Sequence, residues 1–125
     1  MSDRKIQIDA GGVTVVATLN DSPTADKLWK SLPLTARAQT WGDEIYFGIP
    51  VHADNDDYAE ETVEMGTVGY WPPGNALCLF FGPTPMSAPA EIRPASAVNV
   101  IGTIEGDATV LKSVRSGASI TIEQT

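Results

Sequence analysis

An uninterrupted apolar run, ALCLFF at residues 76–81, places the strongest limit on possible folds. Half-buried strands alternate apolar and polar residues, so this run predicts a strand covered on both faces, with a barrel interior on one side and a helix on the other. It follows Pro72-Pro73-Gly74-Asn75, which is typical of a type II turn with Gly74 in its third position. The proline after Trp71 favours an extended backbone at that residue. Prolines within residues 83–89 predict a stiff loop after the strand.

Much of the remaining chain alternates with the two-residue period of half-buried strands. Residues 5–19 predict a hairpin, because the alternation continues on both sides of Gly11-Gly12 and glycine accepts the positive φ of a tight turn. A second tight turn is predicted at Gly42-Asp43, before a strand at residues 44–51. Further strands are predicted at residues 34–39, 98–104 and 120–122, and a short one at 62–65 within an acidic loop at residues 52–67.

Two helices are also predicted. The first covers residues 22–32, with Asp21 or Ser22 as its N-cap, Pro23 in its first position and Pro33 after its end. One apolar face follows from helical spacing and contains Ala25, Leu28, Trp29 and Leu32. The second is a short helix capped by Asp107 and ended by Gly117, with an apolar face of Val110, Leu111 and Val114.

These elements predict a mostly β fold. About seven or eight short strands with one or two helices favour a closed β-barrel capped by a helix, and a β-sandwich is the alternative. Closure is favoured because few strands carry the charges or prolines that protect an exposed sheet edge. The length suits a single domain over residues 1–125.

The charge distribution limits the partners of the protein. The net charge is −8, and residues 38–92 contain nine acidic residues but no Lys or Arg. Nucleic-acid binding requires a basic face, so we expect no nucleic-acid partner. The acidic segment either favours a cationic ligand or only keeps the protein soluble. The sequence shows no secretion signal and no membrane-spanning stretch, which predicts a cytoplasmic protein without a membrane partner.

Metal and cofactor chemistry have little support in the sequence. Cys78 and His52 are the only cysteine and the only histidine, too few for a four-ligand zinc site. Cys78 lies within the apolar run, so we expect a buried, inert thiol. The segment DNDDYAEE matches a calcium loop poorly, because Tyr58 and Ala59 occupy its fifth and sixth positions. We therefore expect no metal and no cofactor.

Four blocks carry a resemblance to a known family: PTADKLWKSLPL, WGDEIYFGIPV, GYWPPGNALCLFFGPTP and VNVIGTIEGD. In this order they resemble a small family of uncharacterised prokaryotic cyclophilin-like proteins, from about Ile6 to Ile122. The resemblance implies a compact eight-stranded cyclophilin-like β-barrel with a helix closing one end. One departure is Gly66-Thr67, where the family pattern has Gly-Asp, so no role that needs a carboxylate there is carried over.

The resemblance does not carry over a catalytic activity. True cyclophilins isomerise peptidyl-proline bonds with an Arg, a nearby Gln and an aromatic pocket for the proline ring. Their Phe-His-Arg and Gln-Gly-Gly-Asp blocks are absent from this sequence. The sequence therefore leaves open whether the protein is an enzyme.

The aromatic residues of the two most distinctive blocks are the first candidates for a binding site, because an aromatic cleft suits an apolar or prolyl ligand. Phe47 and Phe81 are expected to pack in the core. Tyr70 and Trp71 lie beside a turn and are better candidates for an exposed wall. The predicted ligand-binding residues are Trp41, Tyr46, Tyr70, Trp71 and Asn75.

Polar residues near these blocks are the catalytic candidates. Arg37 and Gln39 share a strand face on which Trp41 also falls, and amide-bond rotation uses a cation, a hydrogen-bonding group and an aromatic wall. A solvated outer face is the alternative. Asp43 and Glu44 point to opposite faces of a strand and do not form an acid–base pair, which leaves Glu44 alone as a candidate. The sequence favours a module that binds a small molecule or peptide, with a prolyl isomerase-like enzyme as the alternative.

Overall fold

The computed structural model describes residues 4–125, in which β-strands dominate. The strands are β1 Arg4–Ala10, β2 Val13–Leu19, β3 Leu34–Arg37, β4 Gln39–Thr40, β5 Glu44–Gly48, β6 Ala59–Glu60, β7 Thr67–Trp71, β8 Ala76–Phe80, β9 Val98–Ile104 and β10 Ser119–Gln124. The α-helix α1 covers Pro23–Ser31, and 3₁₀ helices cover Pro72–Gly74 and Ala108–Ser113. The helices among these residues are too short or too polar to cross a bilayer.

The strands form one sheet that closes on itself. Neighbouring strands follow the order β3-β10-β1-β2-β9-β7-β8-β5-β4, and β6 attaches to β9. The two ends of this order, β3 and β4, are separated in the chain only by Ala38. They act as one bent strand that pairs with β10 before the bend and with β5 after it. Counted as one, they complete a ring of eight strands, so the predicted eight-stranded barrel is confirmed.

Strand alternation fills the interior of the barrel. The predicted hairpin is formed by β1 and β2, and Gly11 and Gly12 have φ angles of 57° and 90° in its turn. Every second residue of the strands points inward, where large side chains pack with almost no exposed surface, and each such burial contributes roughly 1.5–3 kcal/mol. The inward-facing residues include Ile6, Ile8, Ile45, Phe47, Leu77, Leu79, Ile120 and Ile122.

Helix α1 packs against this interior as predicted. Ser22 is the N-cap, since its side-chain oxygen accepts a hydrogen bond from the Ala25 amide at 3.2 Å. Pro23 suits the first helical position because its missing N–H group has no partner to lose there. Ala25 and Leu28 are completely buried among the barrel residues, and Trp29 packs beside them. The helix therefore adds its single apolar face to the core.

Strand β8 is buried on both faces, as the run ALCLFF predicts. Leu77 and Leu79 belong to the barrel interior, whereas Cys78 and Phe80 point outward into a second apolar cluster. This outer cluster also contains Ile92 and Val98, with Tyr46, Val63 and Trp71 packed against it. The predicted covering helix is wrong: residues 82–97, here called the covering segment, close over this face as an irregular loop.

Internal hydrogen bonds hold the covering segment together. The Thr84 hydroxyl donates to the Arg93 carbonyl oxygen, and the Arg93 amide donates to the Ser87 hydroxyl at 3.0 Å. The Val63 amide donates to the Ile92 carbonyl oxygen at 2.9 Å and so ties the segment to the acidic loop. A chain without regular structure is thereby fixed as a wall over the outer cluster.

The turn before β8 differs from the predicted type II turn. Pro72–Gly74 forms a 3₁₀ turn in which the Asn75 amide donates to the Pro72 carbonyl oxygen at 3.2 Å. The left-handed residue is Asn75, with a φ of 47°, and not Gly74. The prediction was wrong because Asn also tolerates this conformation. Trp71 is extended, as predicted, with φ of −102° and ψ of 103°.

The second predicted helix is a 3₁₀ helix that ends at Ser113, before the predicted Gly117, and two of its three predicted apolar residues, Leu111 and Val114, are buried. Asp107 caps it as predicted, because its carboxylate accepts a hydrogen bond from the Thr109 amide at 2.9 Å. Val110 is 45% exposed, whereas Ala108 and Leu111 are buried. A 3₁₀ helix has three residues per turn, so every third side chain lies on the same face, as Ala108 and Leu111 do. The prediction assumed α-helical spacing and therefore placed Val110 on the apolar face.

Two predicted strands are shorter than expected. The strand after Gly42-Asp43 ends at Gly48, and Val51 is buried beyond the paired residues. The strand predicted at residues 62–65 reduces to one isolated bridge between Val63 and Ile92.

Candidate ligand-binding cleft

A cleft of about 160 Å³ lies on the outside of the barrel, between strands β5, β7 and β8 and the covering segment. We call it the outer cleft. Its lining residues are Trp41, Glu44, Tyr46, Trp71, Cys78, Pro94 and Ala95.

Strand register brings the outward-facing residues of the cleft together. Tyr46 of β5 is directly opposite Cys78 of β8, and Glu44 is opposite Phe80 in the same pair of strands. Residues opposite each other in an antiparallel pair share a face, so Glu44 and Tyr46 point out of the barrel together with Cys78. Trp71 enters from the end of β7, opposite Ala76.

Glu44 is the most unusual residue of the outer cleft. Glu44 is only 6% exposed. Its Oε1 atom has no hydrogen-bond partner among the described residues. Burial raises the pKa of the Glu44 carboxyl to about 7, and the neighbouring Cys78 thiol partly offsets this as a hydrogen-bond donor. Near neutral pH the cleft therefore holds a carboxyl group balanced between its neutral and its charged form.

The Cys78 thiol is buried, as predicted. Burial raises the pKa of this thiol well above its usual value, and the negative charge of Glu44 acts in the same direction. A thiol needs its thiolate form to attack or to bind a metal. Cys78 therefore contributes packing and a weak donor to the cleft.

Trp71 forms one wall of the cleft and is fixed at two points. Its indole Nε1 donates a hydrogen bond to the Ser96 hydroxyl of the covering segment at 2.7 Å. On the other side, a Cβ atom at Gly74 would lie 2.9 Å from Cε3 and Cζ3 of the Trp71 ring. Gly74 has no positive φ, so the structure requires glycine there because the indole packs against its backbone.

Replacing Gly74 by Ala is therefore expected to displace the Trp71 ring while costing about 1 kcal/mol of stability or less. The indole N–H signals of the protein in two-dimensional NMR measure this directly, since there are three tryptophans and the Trp29 signal serves as an internal reference. Gly48→Ala is the matched control, because no atom lies within 4 Å of a Cβ at that position. An unchanged Trp71 signal in the Gly74 variant would contradict this reading of the wall.

The structure brings together only some of the predicted aromatic residues. Trp41, Tyr46 and Trp71 line the outer cleft. Tyr70 is completely buried in the barrel interior, where its hydroxyl donates to the Val51 carbonyl oxygen at 2.6 Å. The expectation of an exposed Tyr70 is wrong, because Tyr70 and Trp71 are consecutive on one strand and point to opposite faces. Phe47 and Phe81 are buried in the core, as predicted.

Asn75 lies away from the outer cleft. Its Oδ1 atom is 2.9 Å from the Tyr70 hydroxyl and 3.1 Å from Nδ1 of His52. It lines a separate polar depression beside Lys27 and His52. The structure therefore gives Asn75 a role in the turn and in fixing Tyr70.

The catalytic candidates are also separated. Arg37 is exposed, and its Nη1 donates to the Gly117 carbonyl oxygen at 3.1 Å. Gln39 is exposed as well, although it is opposite Tyr46 in the strand pair. Neither lines the cleft, whereas Glu44 does. The bend at Ala38 divides the predicted face, since Arg37 pairs with β10 and Gln39 with β5.

Sequence reasoning missed three lining residues: Cys78 was assigned to packing alone, and Pro94 and Ala95 were not considered. The alternation in β5 and β8 contains a usable signal, because it places Glu44, Tyr46 and Cys78 on outward faces once the two strands are known to pair. Pro94 and Ala95 lie in the irregular covering segment, where apolar residues do not recur at the spacing of a helix or a strand.

The acidic loop is held by hydrogen bonds to the buried side-chain amide of Asn99. Asn99 of β9 has no exposed surface, and its Oδ1 accepts a hydrogen bond from the Asp56 amide at 3.0 Å. Its Nδ2 donates to the Asp54 carbonyl oxygen at 2.9 Å and to the Thr24 hydroxyl at 3.1 Å. Residues 4–125 contain no group of three or more His, Cys, Asp or Glu side chains arranged to hold a metal ion.

The fold and the cleft define a class: an eight-stranded β-barrel capped by a helix, with a covered cleft on its outer wall. The chain belongs to the Cyclophilin-like family, whose sequence model matches residues 4–123. The resemblance seen in the four sequence blocks is thereby confirmed.

Solved structures agree with this assignment. A hypothetical protein from Archaeoglobus fulgidus, known from a solution structure, is 39% identical with a TM-score of 0.83, over 98% of this chain and 95% of that one. McbB in complex with tryptophan is 16% identical with a TM-score of 0.73, over 96% of this chain and 44% of McbB, which shows a shared fold alone. No curated protein matches the chain significantly.

Proposed function

We propose that the protein is a binding module whose outer cleft holds a small molecule or one residue of a peptide. The observation that carries this proposal is the unpartnered Oε1 of Glu44, buried at the back of a cleft with aromatic walls. A buried polar atom without a partner costs roughly 1–3 kcal/mol. Such atoms are rare in native proteins, and each one calls for an explanation such as a bound water, an ion or a functional role.

The shape of the cleft supports the same function. Trp41, Tyr46 and Trp71 are each only partly buried, so their faces are open to an incoming apolar group. Small-molecule sites combine apolar and aromatic walls with a few polar groups that orient the ligand. The outer cleft has this composition, with Glu44 as the orienting group. The alternative isomerase-like activity is less supported, because Arg37, its proposed cation, lies outside the cleft.

The proposal predicts selective NMR changes at the cleft tryptophans. Benzyl alcohol, indole, cyclohexanol and N-acetylproline amide are suitable probes at millimolar concentration. We expect at least one of them to shift the indole signals of Trp41 and Trp71 while leaving unchanged the signal of Trp29, which lies on α1 and packs against the barrel core. Trp71→Ala should weaken that binding about tenfold, since a buried aromatic contact contributes about 1–2 kcal/mol.

Tyr58→Ala is the matched control, because Tyr58 is an exposed aromatic residue outside the outer cleft. It should leave probe binding unchanged. The proposal fails if none of the four probes moves the Trp41 and Trp71 signals, or if Trp29 responds to the same extent.

A further inference from the structure

We propose that the ligand of the outer cleft carries a protonated amine, which enters between Trp41 and Trp71 and donates hydrogen bonds to the carboxylate of Glu44. This inference rests on the proposed function, since it specifies the ligand class of the same site.

The first argument is the missing donor at Glu44. Its Oε1 atom has no hydrogen-bond partner among the described residues, although Glu44 is only 6% exposed. A carboxylate oxygen only accepts hydrogen bonds. An ammonium group supplies several N–H donors together with the opposite charge, and charge-assisted hydrogen bonds are about twice as strong as neutral ones.

The second argument is the lack of a competing cation within the described chain. Lys, Arg and His are absent from the residues that line the cleft in this part of the protein. Arg93 precedes the lining residue Pro94, but its guanidinium binds Glu91, with Nε 2.8 Å from Oε2. Lys112 lies 3.7 Å from Asp43. The positive charge that would stabilise ionised Glu44 therefore has to come with the ligand.

The third argument is the aromatic surround. A cation above the face of an indole or phenol ring is attracted to it, by about 0.5–2 kcal/mol depending on desolvation. Trp41, Tyr46 and Trp71 present such rings around one carboxylate, and Ser96 holds the Trp71 indole in place. The segment 38–92 contains nine carboxylates and no Lys or Arg, and its negative charge favours a cationic ligand.

Amine binding would be coupled to the protonation of Glu44. Burial raises the pKa of this carboxyl to about 7, and a bound cation favours its ionised form. The titratable groups facing it are Cys78 on β8 and Tyr46 on its own strand, while β7 and the covering segment present Trp71, Pro94 and Ala95. Amine affinity should therefore rise from pH 6 to pH 8, where the ligand remains protonated throughout.

Benzylamine, benzyl alcohol and benzoate test this inference, because they place a cation, a neutral group and an anion on the same ring. At pH 8 the shifts of the Trp41 and Trp71 indole signals should show benzylamine binding about tenfold more tightly than benzyl alcohol, and benzoate binding worst. Glu44→Gln should bring the affinities for benzylamine and benzyl alcohol to within about twofold of each other, because the amide keeps the shape of the carboxylate and removes its charge. Glu123→Gln, an exposed carboxylate on β10, is the control for net charge and should bind like the wild type.

The remaining outcomes separate this inference from the proposed function. Equal binding of the amine and the alcohol, or an amine preference that persists in Glu44→Gln, overturns the inference while the binding module stands. A preference for benzoate also overturns it. Failure of all three compounds and of the four earlier probes to shift Trp41 and Trp71 overturns both.

Discussion

Replacing Glu44 by Gln is expected to raise the free energy of unfolding at pH 8 by roughly 3–4 kcal/mol. The carboxyl is buried in the folded protein, where its pKa is about 7, and an unfolded Glu titrates near 4.3. Each unit of that difference corresponds to about 1.4 kcal/mol. The folded state therefore prefers protonated Glu44, so the corresponding stability is fully present below pH 4.3 and is lost as pH rises through 7.

Urea unfolding followed by circular dichroism at pH 5, 6, 7 and 8 measures this effect. The wild type should lose roughly 2–3 kcal/mol between pH 5 and pH 8, as the linkage relation requires. Glu44→Gln should have nearly constant stability across this range and should already exceed the wild type by about 1 kcal/mol at pH 5, because Glu44 is largely ionised in the unfolded chain there. Glu123→Gln should follow the wild type throughout. A wild type that is equally stable at pH 5 and pH 8 would show that the carboxylate has a compensating partner in solution.

Replacing Asn99 by Leu is expected to destabilise the protein, with a loss of about 3–4 kcal/mol in the free energy of unfolding. Leu has a similar size but no polar atoms, so the Asp56 amide, the Asp54 carbonyl oxygen and the Thr24 hydroxyl lose a buried partner. A group that remains buried without its partner incurs its full desolvation cost. The acidic loop and the start of α1 should loosen together, because Asn99 joins both to β9.

Two measurements distinguish this effect from general damage. Urea unfolding gives its size, and hydrogen exchange of the Asp56 amide reports whether the acidic loop has detached before global unfolding. Asn55→Ala is the matched control: Asn55 is exposed, and its contacts to Asn99 and Ala97 are longer, at 3.4 Å and 3.3 Å. It should cost less than about 1 kcal/mol. Equal losses in the two variants would contradict a central role for Asn99.

The strands were predictable because alternation depends on local sequence alone. The β1–β2 hairpin, the doubly buried β8 and the capped start of α1 follow from residues near one another in the chain. The 3₁₀ geometry of Pro72–Gly74 and Ala108–Ser113 was missed because short helices of either type contain the same cap and apolar residues. The loop that covers the outer cluster replaced the predicted helix, and no periodic pattern marks such a segment.

The cleft was less predictable because it depends on long-range pairing. Trp41, Tyr46 and Trp71 were identified by residue type, whereas Tyr70 was included against the alternation rule that separates it from Trp71. Arg37 and Gln39 were grouped with Trp41 on the assumption of one straight strand, and the bend at Ala38 separates their pairing partners. Their predicted roles in binding or catalysis remain predictions. The unpartnered oxygen of Glu44 becomes visible only in three dimensions.

The two-sided burial of β8 also bears on how the proposed ligand preference can change. Leu77 and Leu79 hold the barrel together, while Cys78 and Phe80 belong to the layer behind the outer cleft. Under the proposed function, substitutions at Cys78 and Phe80 reshape the floor of the cleft, whereas Leu77 and Leu79 maintain the barrel. Ligand specificity and the packing of the barrel interior are then encoded at alternate positions of one strand.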